Sequence, residues 1–318
     1  MNTKKILNAI KKANHILIST HINPDLDGLS CELVMTKYLK SLGKKVLIAN
    51  AEKVPAMYEF LKGAKQIKKI SKTAKQCDLA IIFDCGDLNR IGEVKNFLPE
   101  GIKIINIDHH QTNKEFGTYN LVLPKASSSA EVLFSFLNKQ KFKLTKETSE
   151  LLYLGILTDT GSFRYQSTSS YTHEIAAQLL KFNLPTSDLY KKVYENLNFS
   201  DLKVLLDVLK DFTSIENGRI LCVDLKKEVL LKSEGKFDLR DKIFSFLRMV
   251  NDCEVILIFS EDSKNLTKVN LRSSGKINVA SLASQYGGGG HKAASGCRYK
   301  GNLENAKKSV ISSLRRQF

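Results

Sequence analysis

Three short apolar runs, each ending in acidic or imidazole side chains, constrain this chain more than any other feature. Residues 16–19 lead into His21-Ile22-Asn23-Pro24-Asp25-Leu26-Asp27, residues 79–83 into Asp84, and residues 104–107 into Asp108-His109-His110. Another apolar run covers 46–49. Between it and the first lies 29–42, where Leu29, Leu33, Leu39 and Leu42 fall near helical spacing before Gly43 stops the pattern. Strands alternating with amphipathic helices predict a parallel sheet covered by helices on both faces. In such sheets ligands bind outside the carboxyl ends of the strands. The polar residues ending separate runs should therefore converge on one cleft.

Further along, helices are predicted over 129–138, 147–157 and 172–181. The polar stretch 182–199, with Pro185, reads as a connection into a helix at 202–212. Beyond it, strands at 219–223, 255–259 and 268–272 come with helices at 241–250, 279–285 and 303–316, which predicts a second, smaller α/β domain. The expected division is a catalytic domain over 1–185, a linker over 186–204 and a second domain over 205–318. The 318 residues leave room for two domains of ~100–200 residues each.

Hydrophobic residues make up 42% of the chain, enough for a sizeable core. No run approaches the ~20 apolar residues of a membrane span, and no secretory core follows the N-terminus. Cys31, Cys77, Cys85, Cys222, Cys253 and Cys297 form no CxxC pair, which points to reduced, structural thiols in a cytoplasmic protein. The net charge of +16 is scattered along the chain, and it suits an anionic substrate.

A fourth chemical element is Asp159 in Gly155-Ile156-Leu157-Thr158-Asp159-Thr160-Gly161. Taken singly, an Asp after a strand is a turn or helix cap, and paired histidines can lie on a surface loop. Together in one cleft, four or more carboxylates repel one another and require a cation. Imidazole with carboxylate, and no thiolate, favours manganese or magnesium over structural zinc. Six ligands from four pieces suit two ions ~3.5–4 Å apart, as used for displacement at phosphorus.

These pieces resemble the DHH phosphoesterase family, whose motif stands here as Asp108-His109-His110. Gly287-Gly288-Gly289-Gly290-His291-Lys292-Ala293-Ala294-Ser295-Gly296 and Arg272-Ser273-Ser274-Gly275 resemble the DHH-associated C-terminal domain. At this length the chain looks most like the bacterial oligoribonuclease/pAp phosphatase (nanoRNase) group. The resemblance implies one manganese on His21, Asp25 and Asp84 and another on Asp27, Asp84, His109 and Asp159, with magnesium as the alternative metal. Asp84 would bridge both ions, and His110 would contact the substrate phosphate and assist proton transfer. Arg272, Ser273, Gly288, Gly289, Gly290 and His291 would bind substrate, with the active site in the cleft between the domains. Ser30 and Cys31 stand where many members carry Gly-Ser. Asp87 is expected to be an outer carboxylate or a cap, and Arg164 either a phosphate contact or a surface ion-pair partner.

The glycine run also speaks for itself. Four glycines are costly unless backbone must approach something closely, and exposed amides there could nest an anion. The implied activity is hydrolysis of short oligoribonucleotides or pAp to mononucleotides by a monomer or homodimer, with no membrane and no stable duplex binding. Cyclic-dinucleotide turnover (pApA, pGpG or cyclic di-AMP) is the nearest alternative; a single-strand exonuclease or a non-catalytic nucleotide sensor is more remote.

Overall fold

A computed structural model describes residues 2–232 and 237–318. Two compact units divide at Glu195/Asn196. The first contains α1 (Asn2–Lys12), β1 (His15–Ser19), α2 (Leu26–Ser41), β2 (Lys45–Asn50), β3 (Lys68–Lys69), β4 (Leu79–Phe83), α3 (Val94–Phe97), β5 (Lys103–Asp108), β6 (Tyr119–Val122), α4 (Ser129–Lys139), α5 (Lys146–Asp159), α6 (Ser170–Leu180) and α7 (Thr186–Tyr194). Its six strands run in the order β3-β2-β1-β4-β5-β6. Every pair is parallel. The central strand β4, Leu-Ala-Ile-Ile-Phe, is buried throughout. That explains its unbroken apolar run, since a parallel strand covered on both faces has no solvent side. Ile16, Ile18, Ile81 and Phe83 face one apolar cluster with α2, α4 and α5. Leu17, Ala80 and Ile82 face a smaller one on the opposite side.

The order reverses beside β1: the chain runs from β1 outward to β2 and β3, then returns to add β4, β5 and β6 on the other side. The loops after β1 and β4 therefore open next to each other, at a topological switch point where ligands bind. The predicted parallel sheet is present. Edge strands β3 and β6 were not predicted, being short or only half-buried.

The second unit holds α8 (Phe199–Leu209), β7 (Thr213–Ile215), β8 (Ile220–Leu225), α9 (Lys227–Lys232), α10 (Leu239–Leu247), β9 (Val255–Ser263), β10 (Leu266–Ser273), α11 (Val279–Ser284), β11 (Gly289–His291), β12 (Ala294–Lys300) and α12 (Leu303–Arg315). Its mixed sheet runs β11-β12-β10-β9-β8-β7, parallel only between β8 and β9. α8 and α10 pack on one face and α11 and α12 on the other. The glycine run, expected as a loop, supplies an edge strand in its second half. A side chain at Gly288 would meet the Gly296 carbonyl at 2.2 Å, and one at Gly290 the Ala294 carbonyl at 2.5 Å. The close approach that the glycines permit is thus to their own neighbouring strand. Among the described residues no helix is long and apolar enough to cross a membrane.

Candidate metal centre

The site is assembled in the first unit from the ends of β1, β4 and β5 and from α5. Asp25 caps α2, its Oδ1 accepting from the amides of Asp27 and Gly28 at 3.1 and 3.2 Å. This cap turns the chain so that His21, Asp25 and Asp27 surround the end of β1. Its other oxygen lies 3.7 Å from His21 Nε2. Asp84, the first residue past β4, has φ +52°. Asp tolerates this left-handed conformation better than most residues. The turn is pinned by the Asp84 amide donating to the Ile107 carbonyl at 3.0 Å.

The Asp84 carboxylate divides its oxygens. Oδ2 is 3.2 Å from His21 Nε2. Oδ1 is 3.5 Å from His109 Nε2 and accepts from Ser129 Oγ at 3.1 Å. His109 Nε2 is also 3.0 Å from Asp159 Oδ2. On the far side of each ring, Nδ1 meets a main-chain carbonyl: Ile22 at 2.7 Å for His21 and Ala126 at 3.3 Å for His109. A carbonyl can only accept, so Nδ1 carries a proton and Nε2 is the nitrogen turned to the carboxylates, donating to them when protonated and free to offer its lone pair to a cation. This second contact fixes the tautomer of metal-binding histidines.

Asp27 is held from behind. The amides of Ser129 and Ala130, at the N-terminus of α4, donate to its two oxygens at 2.6 and 2.8 Å. A helix N-terminus favours a carboxylate in that position. Gly155 makes room, because a Cβ there would lie 2.8 Å from Asp27 Oδ1.

The six ligand candidates form two convergent groups, His21–Asp25–Asp84 and Asp27–His109–Asp159, in each of which the donor atoms lie within 4.8 Å of one another. The electrostatics are those of a site built around positive charge. Burial and the charges of Asp84 and Asp159 push the Asp27 carboxyl well above the usual range. Burial likewise outweighs His109 and raises Asp159. Asp84 is held well below its usual range, because hydrogen bonds from His109 and His21 overcome burial. Burial alone would lower His21, yet Asp25 and Asp84 push it up to about 10. The protons that balance these carboxylates occupy the role a divalent cation fills.

His110 stands at the edge of this set. Its Nδ1 donates to Asp108 Oδ1 at 2.7 Å and stands 3.6 Å from Asp84 Oδ1. Asp108 is fully buried and its second oxygen accepts from Asn113 Nδ2 at 2.5 Å. Asp108, Asn113 and Ser129 were given no role from sequence; the run Ser127-Ser128-Ser129 ahead of α4 was a visible capping signal, and Ser128 does cap that helix.

The other candidates are placed as follows. Asp87 caps the turn at Leu88–Ile91 and pairs with Lys114 at 2.5 Å. Arg164 is exposed and stacks on Tyr165 at 5.5 Å. Ser30 and Cys31 are buried in α2. In the second unit, Arg272 lies over the Phe244 ring at 4.7 Å and stands opposite Ala294, which in turn pairs with His291. The Ser273 hydroxyl accepts from the Gly275 amide at 3.0 Å. The amides of Gly287 and Gly288 donate to Ser284 and Ala283, so those two are already committed within the fold.

Comparison with known proteins places this geometry. Residues 15–156 match the DHH family N-terminal domain and residues 229–316 match the DHHA1 domain. A probable bifunctional oligoribonuclease and PAP phosphatase NrnA of Streptococcus mutans is 29% identical, covering 95% of each chain. The bifunctional oligoribonuclease and PAP phosphatase NrnA of Bacillus subtilis is 26% identical, covering 92% of this chain and 91% of that one. The crystal structure of an exopolyphosphatase-related protein from Bacteroides fragilis superposes with a TM-score of 0.88 at 25% identity, covering 99% of this chain and 96% of that one.

Proposed function

We propose, from the match of residues 15–156 to the DHH family N-terminal domain and of residues 229–316 to the DHHA1 domain, that this chain is a manganese-dependent phosphoesterase of short oligoribonucleotides and pAp. The observation that carries this reading is the division of Asp84, whose two oxygens each face a different imidazole within one carboxylate cluster. That arrangement suits a shared ligand. His21 and Asp25 would complete one ion's donors; Asp27, His109 and Asp159 would complete the other's. Oxygen and imidazole donors without thiolate suit manganese, with magnesium as the alternative. Such a pair would supply a nucleophile at neutral pH and would neutralise charge on the phosphoryl oxygens.

The chain's own residues do the rest. His21 and His109, held at Nδ1 by carbonyls, keep Nε2 aimed inward without reorganisation. His110, oriented by Asp108, offers Nε2 as a donor to a phosphate oxygen or a leaving group. Arg272 and His291, with Ser273 and the amides of Gly289 and Gly290, would hold a second phosphate through charge-assisted hydrogen bonds. Gly288 contributes by letting the edge strand close. The names of relatives over nearly the full length support the substrate class. The free cysteines suit the reducing cytoplasm.

The test is a side-by-side assay of pAp, pApA, pGpG, cyclic dinucleotides and RNAs of increasing length, with manganese or magnesium. Release of mononucleotides from short RNA, or of phosphate from pAp, at the highest kcat/KM is expected. Preference for a cyclic dinucleotide would contradict the assigned substrate, and no turnover with either metal would contradict the activity.

A further inference from the structure

One face of the second unit's sheet carries cations in a pattern the proposed clamp does not use. β10 alternates between half-buried and buried positions, so Lys268, Asn270 and Arg272 share one face. The register with neighbouring strands sorts that face into three rows. Arg272 stands opposite Ala294, and Ala294 opposite His291. Asn270 stands opposite Gly296, and Gly296 opposite Gly289. Lys268 stands opposite Arg298 on one side and Ser260 on the other. Arg240, from α10, joins this third row by donating from Nε to Ser260 Oγ at 3.1 Å.

Three cations thus meet at one end of the face. Among the described residues neither Arg240 nor Lys268 makes an ion pair, and Arg298 makes one, at 3.6 Å, with half-exposed Asp262. Asp238 is the other acid near Lys268. Burial and the charges of Arg240 and Arg298 push the Lys268 ammonium below its usual range. A folded protein gains nothing from gathering like charges in this way, so the arrangement calls for an anion. The row between is low. A side chain at Gly289 would project into open space, and Gly296 carries none above Asn270, whose Oδ1 has no hydrogen-bond partner among the described residues.

The geometry points to a second phosphate subsite, in which Lys268, Arg298 and Arg240 bind an internal phosphodiester of an oligoribonucleotide whose other end is held at Arg272. This rests on the protein acting on short oligoribonucleotides. Lys268 and Arg272 are four residues apart on one strand, about 13 Å. That exceeds the step between adjacent phosphates, so a dinucleotide held at Arg272 does not reach the second subsite and a chain of three or more nucleotides does. The cluster would then grade affinity by length.

The experiment measures binding of fluorescein-labelled single-stranded RNA dimer and pentamer to the full chain in EDTA, by anisotropy across a salt series, for wild type, Lys268→Ala, Arg298→Ala and Lys268→Arg. The pentamer is expected to bind on the order of 10-fold more tightly than the dimer. Each alanine variant should lose most of that advantage, leave dimer binding and Tm unchanged, and reduce the salt slope for the pentamer by about 0.7. Lys268→Arg should retain the advantage. Equal wild-type affinity for the two lengths, or equal losses on both in the alanine variants, would overturn the subsite. Absence of RNA turnover with any divalent metal, alongside an intact length preference, would remove the assigned activity and leave the subsite standing.

Discussion

Asp108 Oδ1 lies 2.7 Å from His110 Nδ1, which also stands 3.6 Å from Asp84 Oδ1, so this bond holds the His110 ring at the edge of the carboxylate cluster. Asp108 is fully buried, and its second oxygen accepts from Asn113 Nδ2. Truncating His110 to Ala should cost about 10²–10⁴-fold in kcat, as loss of an acid–base or charge-stabilising group does. Asp108→Asn should cost less, and the double variant no more than His110→Ala alone, because the two act as one unit. The check is kcat for the three variants together with metal content. Additive losses, or loss of metal in His110→Ala, would assign His110 a different role.

Arg272 and His291 should separate binding from chemistry. Their alanine variants should lose about 10-fold or more in kcat/KM for pAp and short RNA, since a charge-assisted contact is removed. A chromogenic ester such as bis-p-nitrophenyl phosphate, with no second phosphate to hold, should be nearly unaffected. Steady-state kinetics on both substrates decide it: equal losses would mean these residues support the fold.

Gly155 gives a steric prediction. A methyl there meets Asp27 Oδ1 and the Ala130 side chain, both at 2.8 Å, so Gly155→Ala must displace Asp27 or α4. The intrinsic helix preference of Ala over Gly, ~1 kcal/mol, opposes part of the cost. Activity should fall by more than tenfold while circular dichroism stays that of the wild type. Unchanged activity would show that Asp27 has slack.

Glu32 is buried in α2, with Oε2 accepting from Asn50 Nδ2 at 3.1 Å and Oε1 without a hydrogen bond. Burial raises its pKa well above the usual value, more than Asn50 and His21 lower it. A raised folded pKa means the stability it contributes is fully present below the unfolded value and lost as pH rises from there toward the folded value. Glu32→Gln stays neutral and should raise the Tm of the metal-free protein at pH 8 by more than at pH 5. A difference of the opposite sign would mean that Glu32 is ionised in the fold.

Much of this centre was legible because its chemistry is written at the ends of uninterrupted strands. A buried parallel strand such as β4 has to be apolar throughout, so the first polar residue after it, Asp84, stands out. Asp159 lies outside that grammar, at the end of α5; its motif singles it out, and the fold brings it 3.0 Å from His109 Nε2. What sequence did not reveal depends on contacts across long separations: the amides of Ser129 and Ala130 reach Asp27 over about a hundred positions, and Gly155 looks like an ordinary helix glycine until Asp27 is seen beside it. The glycine run was legible as a close approach, but the partner, β12, became visible only with the register of the second sheet.

Native mass spectrometry of wild type and Asp84→Ala, loaded with manganese, tests the two-ion centre most directly. Asp84 sits past the end of β4, so the fold should survive its truncation, which far-ultraviolet circular dichroism can confirm. Two bound ions are predicted for the wild type; the variant should lose at least one and show no turnover, because the carboxylate that faces both His21 and His109 is gone. A wild type that binds no more than one ion, or an Asp84→Ala protein that keeps both at full occupancy, would contradict it.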